Sequence, residues 1–588
     1  MSNVNVVEKK WKDGVVTEYW VYPTGNPNTD TDFNNVRDAI EDVADGGTVI
    51  LKANALGSKN SIAGPVAFQF GGDDTGLTKQ ISLTHNVMIR GEVDEREEVI
   101  RPGGYSTLHV GVKKGKGTTI VGGRMYFQWK TQVSVSVSDI RFEGFFHGVF
   151  GVHATTGHTE ISGCSFINYE AGSYTGASAS QTKGAFPIVA FNQAAPDSLT
   201  GTMTIADNFF GEPKSSMTQD TNNLIHLSDC SFKPLKIVRN HIEDMRWCGI
   251  AVYSNKGSTI IKENDIRKMS SYAKVIPSSN SSPEIINNEG AGIAVGVRAF
   301  FLANAACDGD FTIERNTITV GSPNSHGILV FLFSPQKYTP PATNVPSIQV
   351  QNNYIDMVEQ ANQDAVHVRA ALACGGATWW CSKTKWKNNK ITGKARYGIW
   401  VSDRVPGFVR KVSEDDVALD LSVKPTPMEI SGNNLTQFTA TRAQVFVGKA
   451  VRGVKLSGNN KFGKVEGGNT QNPYTLQDGL VEPNEPFPAT EAVGLDTDKV
   501  SNDWTSKAGI WWRGDDGELD SNDFTNSGLM GWDKAPFVGG IYLDKESCEN
   551  KINWSSGKFP SGSGTLPTAQ IYSRPQSKAV GCAKDNKV

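Results

Sequence analysis

The sequence predicts an all-β fold, a single right-handed parallel β-helix in which short strands are wound into stacked turns. Three features predict it: a recurring motif with a central Asn or Cys, an apolar strand pattern that often follows the motif, and an amphipathic helix near the start. The chain has 588 residues, enough for about two to four ordinary domains. A repeat fold accommodates this length as one domain, because its core grows along one axis.

The recurring motif is an apolar residue, two further residues, Asn or Cys, one more residue and a second apolar residue. It occurs as ISGCSF (161–166), IADNFF (205–210), LSDCSF (227–232), IVRNHI (237–242), IKENDI (261–266), IERNTI (313–318), VQNNYI (350–355), WKNNKI (386–391), ISGNNL (430–435) and LDSNDF (519–524). We interpret each motif as two strands joined by a sharp bend at the Asn. Asn tolerates the left-handed conformation, and stacked Asn side chains can hydrogen-bond from turn to turn. Cys164 and Cys230 take the Asn position and are predicted to be inert, buried thiols.

The second pattern is a short strand with apolar residues at its second and fourth positions. It occurs as GIAV (249–252 and 292–295), GILV (327–330), AVHV (365–368), GIWV (398–401), GIWW (509–512) and GIYL (540–543). Alternation along a strand directs the third position outward. The outward stripe is therefore predicted to contain Ala251, Ala294, Leu329, His367, Trp400, Trp511 and Tyr542. Two residues further on it contains Tyr253, Gly296, Phe331, Arg369, Ser402, Arg513 and Asp544.

The start of the chain predicts a capping helix. Asp30, Thr31 and Asp32 are candidate N-cap residues, and the apolar residues after them share one helix face before Gly46 and Gly47. That face is Phe33, Val36, Ile40 and Val43. A β-helix must cover its end to prevent edge pairing. We therefore predict an N-terminal extension at 1–29, the capped β-helix at 30–548 and a tail that packs on the coil at 549–588.

Charge and composition restrict the partners. The net charge is −3 with a pI near 6.3, so neither nucleic acid nor an anionic membrane is expected as a partner. No apolar run approaches the ~20 residues of a membrane span, and no signal peptide is visible. We expect a soluble protein, with an extracellular or periplasmic location as one option. The oligomeric state and a Cys374–Cys381 disulfide are left open.

The motif repeats, their Asn positions and the helix followed by GGTV resemble the pectate-lyase-like β-helix superfamily over roughly residues 30–550. The resemblance implies a right-handed β-helix and a carbohydrate substrate. Members include polysaccharide lyases, polysaccharide hydrolases, uronate epimerases and phage tailspike depolymerases, and the fold does not choose among them. The segment from Arg404 to Arg410 is one residue longer than the Arg-x-Pro-x-x-Arg segment of pectate lyases. Ser325-His326-Gly327 matches the polygalacturonase Gly-His-Gly only in part.

The outward stripe predicts a groove for a polysaccharide. Aromatic faces stack on sugar rings, and Arg pairs with carboxylates through two hydrogen bonds. The substrate-binding candidates are Trp400, Trp511, Arg513, Tyr253, Tyr542, Trp379, Trp380 and Arg298. The alternative is that a loop covers these aromatic residues, which then form a second hydrophobic layer.

Two consecutive predicted turns contain the densest reactive group. Its members are Asp364, His367, Arg369, Tyr397, Asp403 and Arg404. Proton removal beside a uronate carboxylate needs a base, here His367, and a cation, here Arg369 or Arg404. The alternative is a solvated His–Arg pair without a catalytic role.

Hydrolysis instead needs two carboxyl groups roughly 5–9.5 Å apart, which Asp364 with Asp403, or Asp515 with Asp544, can supply. No cofactor and no metal site are expected. Ca²⁺ at Asp73-Asp74 or Asp515-Asp516 is a weak alternative.

The sequence thus favours a carbohydrate-active protein that binds and cleaves a polysaccharide, with β-elimination on a uronate polymer slightly preferred. A glycoside hydrolase and a uronate epimerase are the alternatives on the same fold. A non-catalytic carbohydrate-binding or structural β-helix, or a phage-type receptor-binding spike, is the alternative from another class.

Overall fold

The computed structural model describes most of the chain in segments. These are residues 7–55, 66–71, 80–124, 127–129, 132–146, 148–153, 155–169, 184–185, 187–191, 199–211, 221–243, 248–253, 255–268, 290–298, 309–322, 325–333, 347–359, 369–375, 383–401, 428–448, 451–466, 508–529, 539–543, 547, 549–553 and 571–573. The chain divides into two compact units, Met1–Arg267 and Lys268–Val588. The predicted domain boundaries near residues 29 and 548 stay predictions.

The first unit contains one α-helix, a short 3₁₀-helix and a succession of short strands among its described residues. The helices are α1 (Thr31–Asp42) and the 3₁₀-helix Pro102–Gly104. The strands are β1 (Val7–Lys12), β2 (Val15–Val21), β3 (Gly47–Leu51), β4 (Phe68–Gln69), β5 (Ile81–Leu83), β6 (Val87–Gly91), β7 (Glu97–Val99), β8 (Leu108–Val110), β9 (Thr119–Arg124), β10 (Phe127–Trp129), β11 (Val135–Ser138), β12 (Arg141–Phe146), β13 (Phe150–Val152), β14 (His158–Ser162), β15 (Ser165–Ile167), β16 (Gly184–Ala185), β17 (Ile188–Phe191), β18 (Thr202–Ala206), β19 (Phe209–Gly211), β20 (Thr221–Ser228), β21 (Leu235–Val238), β22 (His241–Glu243), β23 (Cys248–Tyr253), β24 (Thr259–Lys262) and β25 (Asp265–Lys268).

The second unit is built from strands alone in its described residues. They are β26 (Gly290–Arg298), β27 (Phe311–Glu314), β28 (Thr317–Val320), β29 (Ser325–Phe333), β30 (Ile348–Gln351), β31 (Tyr354–Met357), β32 (Ala370–Gly375), β33 (Thr384–Lys387), β34 (Lys390–Val401), β35 (Met428–Ser431), β36 (Asn434–Val447), β37 (Val454–Ser457), β38 (Lys464–Val465), β39 (Ala508–Trp512), β40 (Glu518–Asp520), β41 (Ile541–Leu543), β42 (Lys551–Asn553) and β43 (Ile571–Ser573).

Strands that follow one another along the chain belong in turn to three parallel ladders, numbered 1 to 3. In the first unit, ladder 1 is β2–β3–β6–β11–β14–β18–β21–β24. Ladder 2 is β4–β9–β12–β15–β19–β22–β25, and ladder 3 is β5–β10–β13–β17–β20–β23. Each strand therefore pairs with the strand one turn later rather than with its neighbour in sequence. This connectivity is consistent with the predicted β-helix.

The second unit repeats the same rotation. Ladder 1 is β27–β30–β33–β35–β37–β40–β42. Ladder 2 is β28–β31–β34–β36–β38, and ladder 3 is β26–β29–β32–β34–β36–β39–β41–β43. The long strands β34 and β36 each contribute to both ladders 2 and 3. Apolar side chains on the inner faces form the buried core.

The bend between ladders 1 and 2 is one residue earlier than predicted. The residue before the Asn, rather than the Asn, has a positive φ: 56° at Asp207, 55° at Arg239 and 58° at Glu263. The prediction was wrong in position because the Asn side chain must point into the core, where it bonds to neighbouring turns. The LSDCSF motif was also misplaced, since Leu227 and Ser228 end a strand of ladder 3.

The predicted stacking of Asn side chains is confirmed in both units. In the first, the Asn240 amide donates from Nδ2 to Oδ1 of Asn264 at 3.0 Å, and Asn208 donates to Asn240 at 2.9 Å. Cys164 ends this series, and its backbone N donates to Oδ1 of Asn208 at 2.9 Å. Burial raises the pKa of the Cys164 thiol to about 12, as an inert core thiol requires. The series in the second unit is Asn316, Asn353, Asn389, Asn433, Asn460 and Asn522.

The predicted helix is α1, which buries Phe33, Val36 and Ile40 and ends at Asp42, one residue before Val43. Asp30 makes no side-chain capping bond. The buried carboxylate of Asp32 instead accepts hydrogen bonds from the backbone N of Thr24 and Gln69, both at 2.8 Å. Among the described residues, no helix has the length and apolarity needed to cross a membrane. The capping role of α1 stays a prediction.

Candidate functional site

Ladder 3 of the second unit carries the predicted stripe. One residue from each of the first seven strands lies in register on the face opposite the core: Ala294, Leu329, Ala373, Trp400, Phe446, Trp511 and Tyr542. The prediction was wrong for His367, because Ala373 occupies that position. A shift by an even number of residues keeps the apolar alternation in phase, so the pattern alone did not fix the register. Phe446 was missed because its strand lacks the Gly-Ile signature.

The aromatic part of this stripe, the aromatic column, consists of Trp400, Phe446, Trp511 and Tyr542. Its members are buried, with 0–3% of their surface exposed. The rings of Trp400 and Phe446 are stacked with centroids 6.4 Å apart, and Trp511 meets Phe446 edge-on at 5.0 Å. The expected exposure of Trp400, Trp511 and Tyr542 is wrong, because burying large aromatic faces stabilises the fold. The geometry favours the interpretation as a second hydrophobic layer.

Two other substrate-binding candidates and one catalytic candidate are buried as well. Tyr253 and Tyr397 are each 1% exposed, and Arg513 is 5% exposed. These side chains were expected to face a solvent-filled groove, and that expectation is wrong for the same reason as for the aromatic column. Their roles in binding or catalysis stay predictions.

Arg369 lies in the turn before β32 and is 3% exposed. Its guanidinium donates to four backbone carbonyls, those of Ser322, Lys394, Val320 and Val358, at 2.7–3.1 Å. Burial lowers the pKa of Arg369 to about 10. The expected position of this guanidinium in an open groove is wrong. Its donors are thus satisfied within the fold by backbone carbonyls.

Several predicted site residues lie outside the described residues: Asp364, His367, Asp403, Arg404, Trp379 and Trp380. The same holds for Asp544, Asp73, Asp74 and Cys381, and for the side chain of Arg298 at the end of β26. Of the predicted catalytic group, the described residues bring together Arg369 and Tyr397. They meet through a backbone hydrogen bond of 3.1 Å from Tyr397 N to Arg369 O.

A polar group that sequence reasoning missed lies on ladder 2 of the first unit. The first residues of consecutive strands are in register, and they include Ser165, Phe209, His241 and Asp265. Each is the residue directly after the Asn or Cys of its motif. Comparing that one position across the motifs would have aligned His241 with Asp265. We name Phe209, His241, Glu243, Asp265 and Arg267 the His241 cluster.

The imidazole of His241 bridges two carboxylates from neighbouring turns. Its Nδ1 lies 2.8 Å from Oδ2 of Asp265, and its Nε2 lies 2.9 Å from Oε1 of Glu243. His241 and Asp265 are buried, whereas the side chain of Glu243 is 40% exposed. The guanidinium of Arg267 pairs with the same Asp265 oxygen at 3.0 Å and is 35% exposed. The cluster therefore extends from a buried carboxylate to an exposed one.

The pKa values follow from this arrangement. Burial alone lowers the pKa of His241, but its hydrogen bonds to Asp265 and Glu243 outweigh burial and raise that pKa above the usual 6.5. The hydrogen bond from His241 lowers the pKa of Glu243 below 4.5. The two carboxylates thus favour the protonated form of the buried imidazole.

A segment of residues 94–117, the arm, borders the cluster. It contains the antiparallel hairpin β7–β8, whose Val99, Leu108 and Val110 pack against Phe209. Arg267 donates to the carbonyl of Ile100 at 3.0 Å, and Arg141 donates to that of Val112 at 3.2 Å. These bonds fix the arm on the outer face of ladder 2. The arm and the exposed side of Glu243 together form a polar site beside a rigid sheet.

The described residues contain no group of three or more His, Cys, Asp or Glu arranged to hold a metal ion. In the His241 cluster both imidazole nitrogens already face carboxylates, so they do not converge on one point. Asp516, a weak Ca²⁺ candidate, forms an ion pair with Arg452. The possible calcium site therefore gains no support from the described residues.

A second polar group, on ladder 3 of the first unit, contains a Ser–His pair. Ser228 Oγ lies 2.9 Å from Nε2 of His226. The Asn223 carbonyl oxygen accepts from Cys248 N at 3.1 Å, which directs the amide NH₂ of Asn223 towards Nδ1 of His226 at 2.8 Å. Nδ1 is then the acceptor, and Nε2 carries the proton. In this tautomer His226 donates to Ser228 and does not act as its base.

Comparisons with known proteins give no family. No protein-family model matches the chain, and no curated protein matches it. Among solved structures, the chain is similar to PfbA, a surface adhesin of Streptococcus pneumoniae, with 13% identity, 65% of this chain and 87% of that chain covered, and a TM-score of 0.32. It is also similar to DFA-IIIase from Arthrobacter chlorophenolicus A6 without its lid in complex with GF2, with 12% identity, 79% and 90% covered, and a TM-score of 0.26. TM-scores this low assign neither a family nor an activity.

Proposed function

We propose that this chain is a carbohydrate-active β-helix protein, pectate-lyase-like in type, that binds and cleaves a polysaccharide. β-Elimination on a uronate-containing polymer is the preferred reaction, and hydrolysis or epimerisation is the alternative on the same fold. The observation that supports the proposal best is the His241 cluster, which joins the half-exposed carboxylate of Glu243 to the buried imidazole of His241. We therefore place the reaction beside the arm rather than on the aromatic column.

The composition of the cluster suits an acidic sugar. Phe209 lies beside the imidazole with ring centroids 5.2 Å apart, and an aromatic ring at a polar site can stack on a sugar. The exposed part of Arg267 can pair with a uronate carboxylate. That pairing would neutralise the negative charge which develops when a neighbouring proton is removed.

The cluster also supplies a group that can move a proton. Both ring nitrogens of the buried His241 already face carboxylates, so His241 is not the group that abstracts the substrate proton. Glu243 is ionised and reaches solvent, and it is the residue in the cluster that can act as base or nucleophile. The catalytic roles expected for His367, Asp364, Asp403 and Arg404 stay proposals. They would add a second set of reactive side chains to the His241 cluster.

The test is incubation with a panel of acidic and neutral polysaccharides. Absorbance near ~235 nm reports the unsaturated sugar formed by β-elimination, because proton removal creates a conjugated double bond. Reducing ends report hydrolysis. Glu243→Gln is expected to lose about 100-fold or more of the activity, the usual share of a general acid or base. Glu160→Gln, on ladder 1 of the same unit, is the matched control and should retain activity.

A fully active Glu243→Gln protein with native stability would place the chemistry elsewhere. Product without absorbance would replace β-elimination by hydrolysis. An active His367→Ala protein would remove His367 from the mechanism.

The second candidate is a non-catalytic carbohydrate-binding or structural protein, including a trimeric receptor-binding spike. The observation that favours it is the internal satisfaction of the polar groups, since Arg369 and His241 are bonded within the fold. This candidate predicts saturable polysaccharide binding without product in either assay. Sedimentation would separate a trimer from the other forms.

A further inference from the structure

The buried part of the His241 cluster holds two titratable side chains, those of His241 and Asp265, away from solvent. Asp265 is 1% exposed and His241 is fully buried, whereas their partners Glu243 and Arg267 are 40% and 35% exposed. A buried charge persists only when partners compensate it. The carboxylates of Asp265 and Glu243 are therefore the groups that stabilise a proton on the buried imidazole.

We propose that His241 is a positioning residue that holds a proton in reserve for Glu243, so that the pair delivers a proton to a leaving oxygen of the substrate. This inference rests on the proposed function, because it needs a bond whose cleavage Glu243 assists. It adds a role for a buried residue that makes no contact with solvent.

The proton balance is simple. The proton on Nε2 of His241 moves to the Glu243 carboxylate, and a carboxyl proton of Glu243 moves to the leaving oxygen as its bond to carbon breaks. The electrons of the broken carbon–oxygen bond stay on that oxygen, which becomes a hydroxyl. The neighbouring carbon of the substrate loses its proton to water, and the electrons of that C–H bond form the carbon–carbon double bond. His241 is then neutral, with its remaining proton on Nδ1 facing Asp265. Water returns a proton to the pair through the exposed face of Glu243.

The surrounding charges are arranged for this cycle. Asp265 faces Nδ1 and fixes the tautomer that remains after transfer, as a carboxylate does for other catalytic imidazoles. Arg267 pairs with Asp265, and Arg101 on the arm interacts electrostatically with it, so two guanidinium groups compensate the carboxylate of Asp265. The Phe209 ring beside the imidazole favours its charged form through a cation–π interaction.

The first experiment measures the protonation of the histidine side chains by ¹⁵N NMR between pH 5 and 9. His241 is expected to titrate with a midpoint above the ordinary value of about 6.5, because both of its ring nitrogens face carboxylates. Asp265→Asn and Glu243→Gln should each lower the His241 midpoint by about 1 pH unit or more. Asp207→Asn changes a carboxylate at the bend between ladders 1 and 2 that pairs with Arg239, and it should leave the His241 midpoint unchanged.

The second experiment measures the pH dependence of turnover for any polymer that the protein cleaves. His241→Gln keeps a hydrogen-bonding side chain but holds no proton. It is expected to lower kcat about 100-fold near pH 7 while KM stays within about threefold, because substrate contacts are retained. The alkaline limb of the wild-type pH profile should be absent in this variant.

The outcomes separate the two proposals. A neutral His241 at pH 6 overturns the inference whatever the activity. So does a His241 titration midpoint that is the same in the wild type, Asp265→Asn and Glu243→Gln. An inactive wild-type protein with the expected NMR titration overturns the proposed function instead. If Asp265→Asn does not fold, Glu243→Gln decides, because Glu243 lies at the exposed end of the cluster.

Discussion

The side-chain amide of Asn353 donates to Oδ1 of Asn389, one turn later, at 2.9 Å. The same Asn353 also donates to the carbonyl of Ile313 at 3.0 Å and accepts from Asn316 at 3.0 Å. Each interior Asn of the series thus connects three turns. Because these groups are fully buried, a missing member leaves several polar atoms without partners.

Asn353→Ala is expected to lower the free energy of unfolding by about 3–5 kcal/mol, since it removes these bonds in a buried environment. Urea or guanidinium denaturation measures the change. The matched control is the neighbouring Asn352→Gly. Asn352 has φ 55°, which Gly adopts freely, so its replacement should alter stability by less than about 1 kcal/mol. Equal losses in the two variants would contradict a special role for the Asn series.

Arg369→Met is expected to destabilise the protein by about 3 kcal/mol or more, because four backbone carbonyls lose a buried donor. The control is Arg315→Met, whose guanidinium is half exposed at 47% and forms a surface pair with Glu314. Thermal denaturation compares the two. If Arg369→Met instead keeps native stability and loses polysaccharide cleavage, the catalytic prediction from the sequence is supported.

The buried carboxyl group of Asp229 is expected to make the stability of the protein depend on pH. Its carboxylate is 4% exposed, both oxygens lack a hydrogen-bond partner, and burial raises its pKa from 3.8 to about 6. A raised pKa means that the folded protein favours the neutral carboxyl of Asp229. The stability that comes with this neutral form is complete below pH 4 and is lost as the pH rises through 6. Asp229→Asn should therefore stabilise the protein at pH 8 by about 1–3 kcal/mol and have little effect at pH 4. Denaturation at the two pH values tests this, and equal effects at both would contradict it.

The His241 cluster predicts a stability window. The pKa of His241 is raised, so its contribution is complete below pH 6.5 and is lost as the pH rises through the raised value. The pKa of Glu243 is lowered, so its contribution is complete above pH 4.5 and is lost as the pH falls through the lowered value. The stability difference between wild type and His241→Gln should be largest between these limits. A difference that is constant from pH 3 to 10 would contradict the charged pair.

The sequence by itself determined the local pattern of this protein. Alternating apolar residues, the Asn at each bend and the amphipathic helix at 31–42 are set by interactions over a few residues or between consecutive turns. The period of the apolar residues decides which side chains face the core, and this part of the fold was predicted in most strands. The Asn series follows because the same motif recurs in each turn.

Only the tertiary structure decided the register and the burial of the outer faces. Ala373 rather than His367 pairs with Trp400, because alternation of period two does not distinguish shifts by an even number of residues. The aromatic column is buried and Arg369 is bonded to carbonyls, although the strand pattern alone made both face outward. The His241 cluster depends on turns 24 residues apart and on an arm from residues 94–117. Side-chain contacts of that kind arise from the stacking of turns, and no local propensity encodes them.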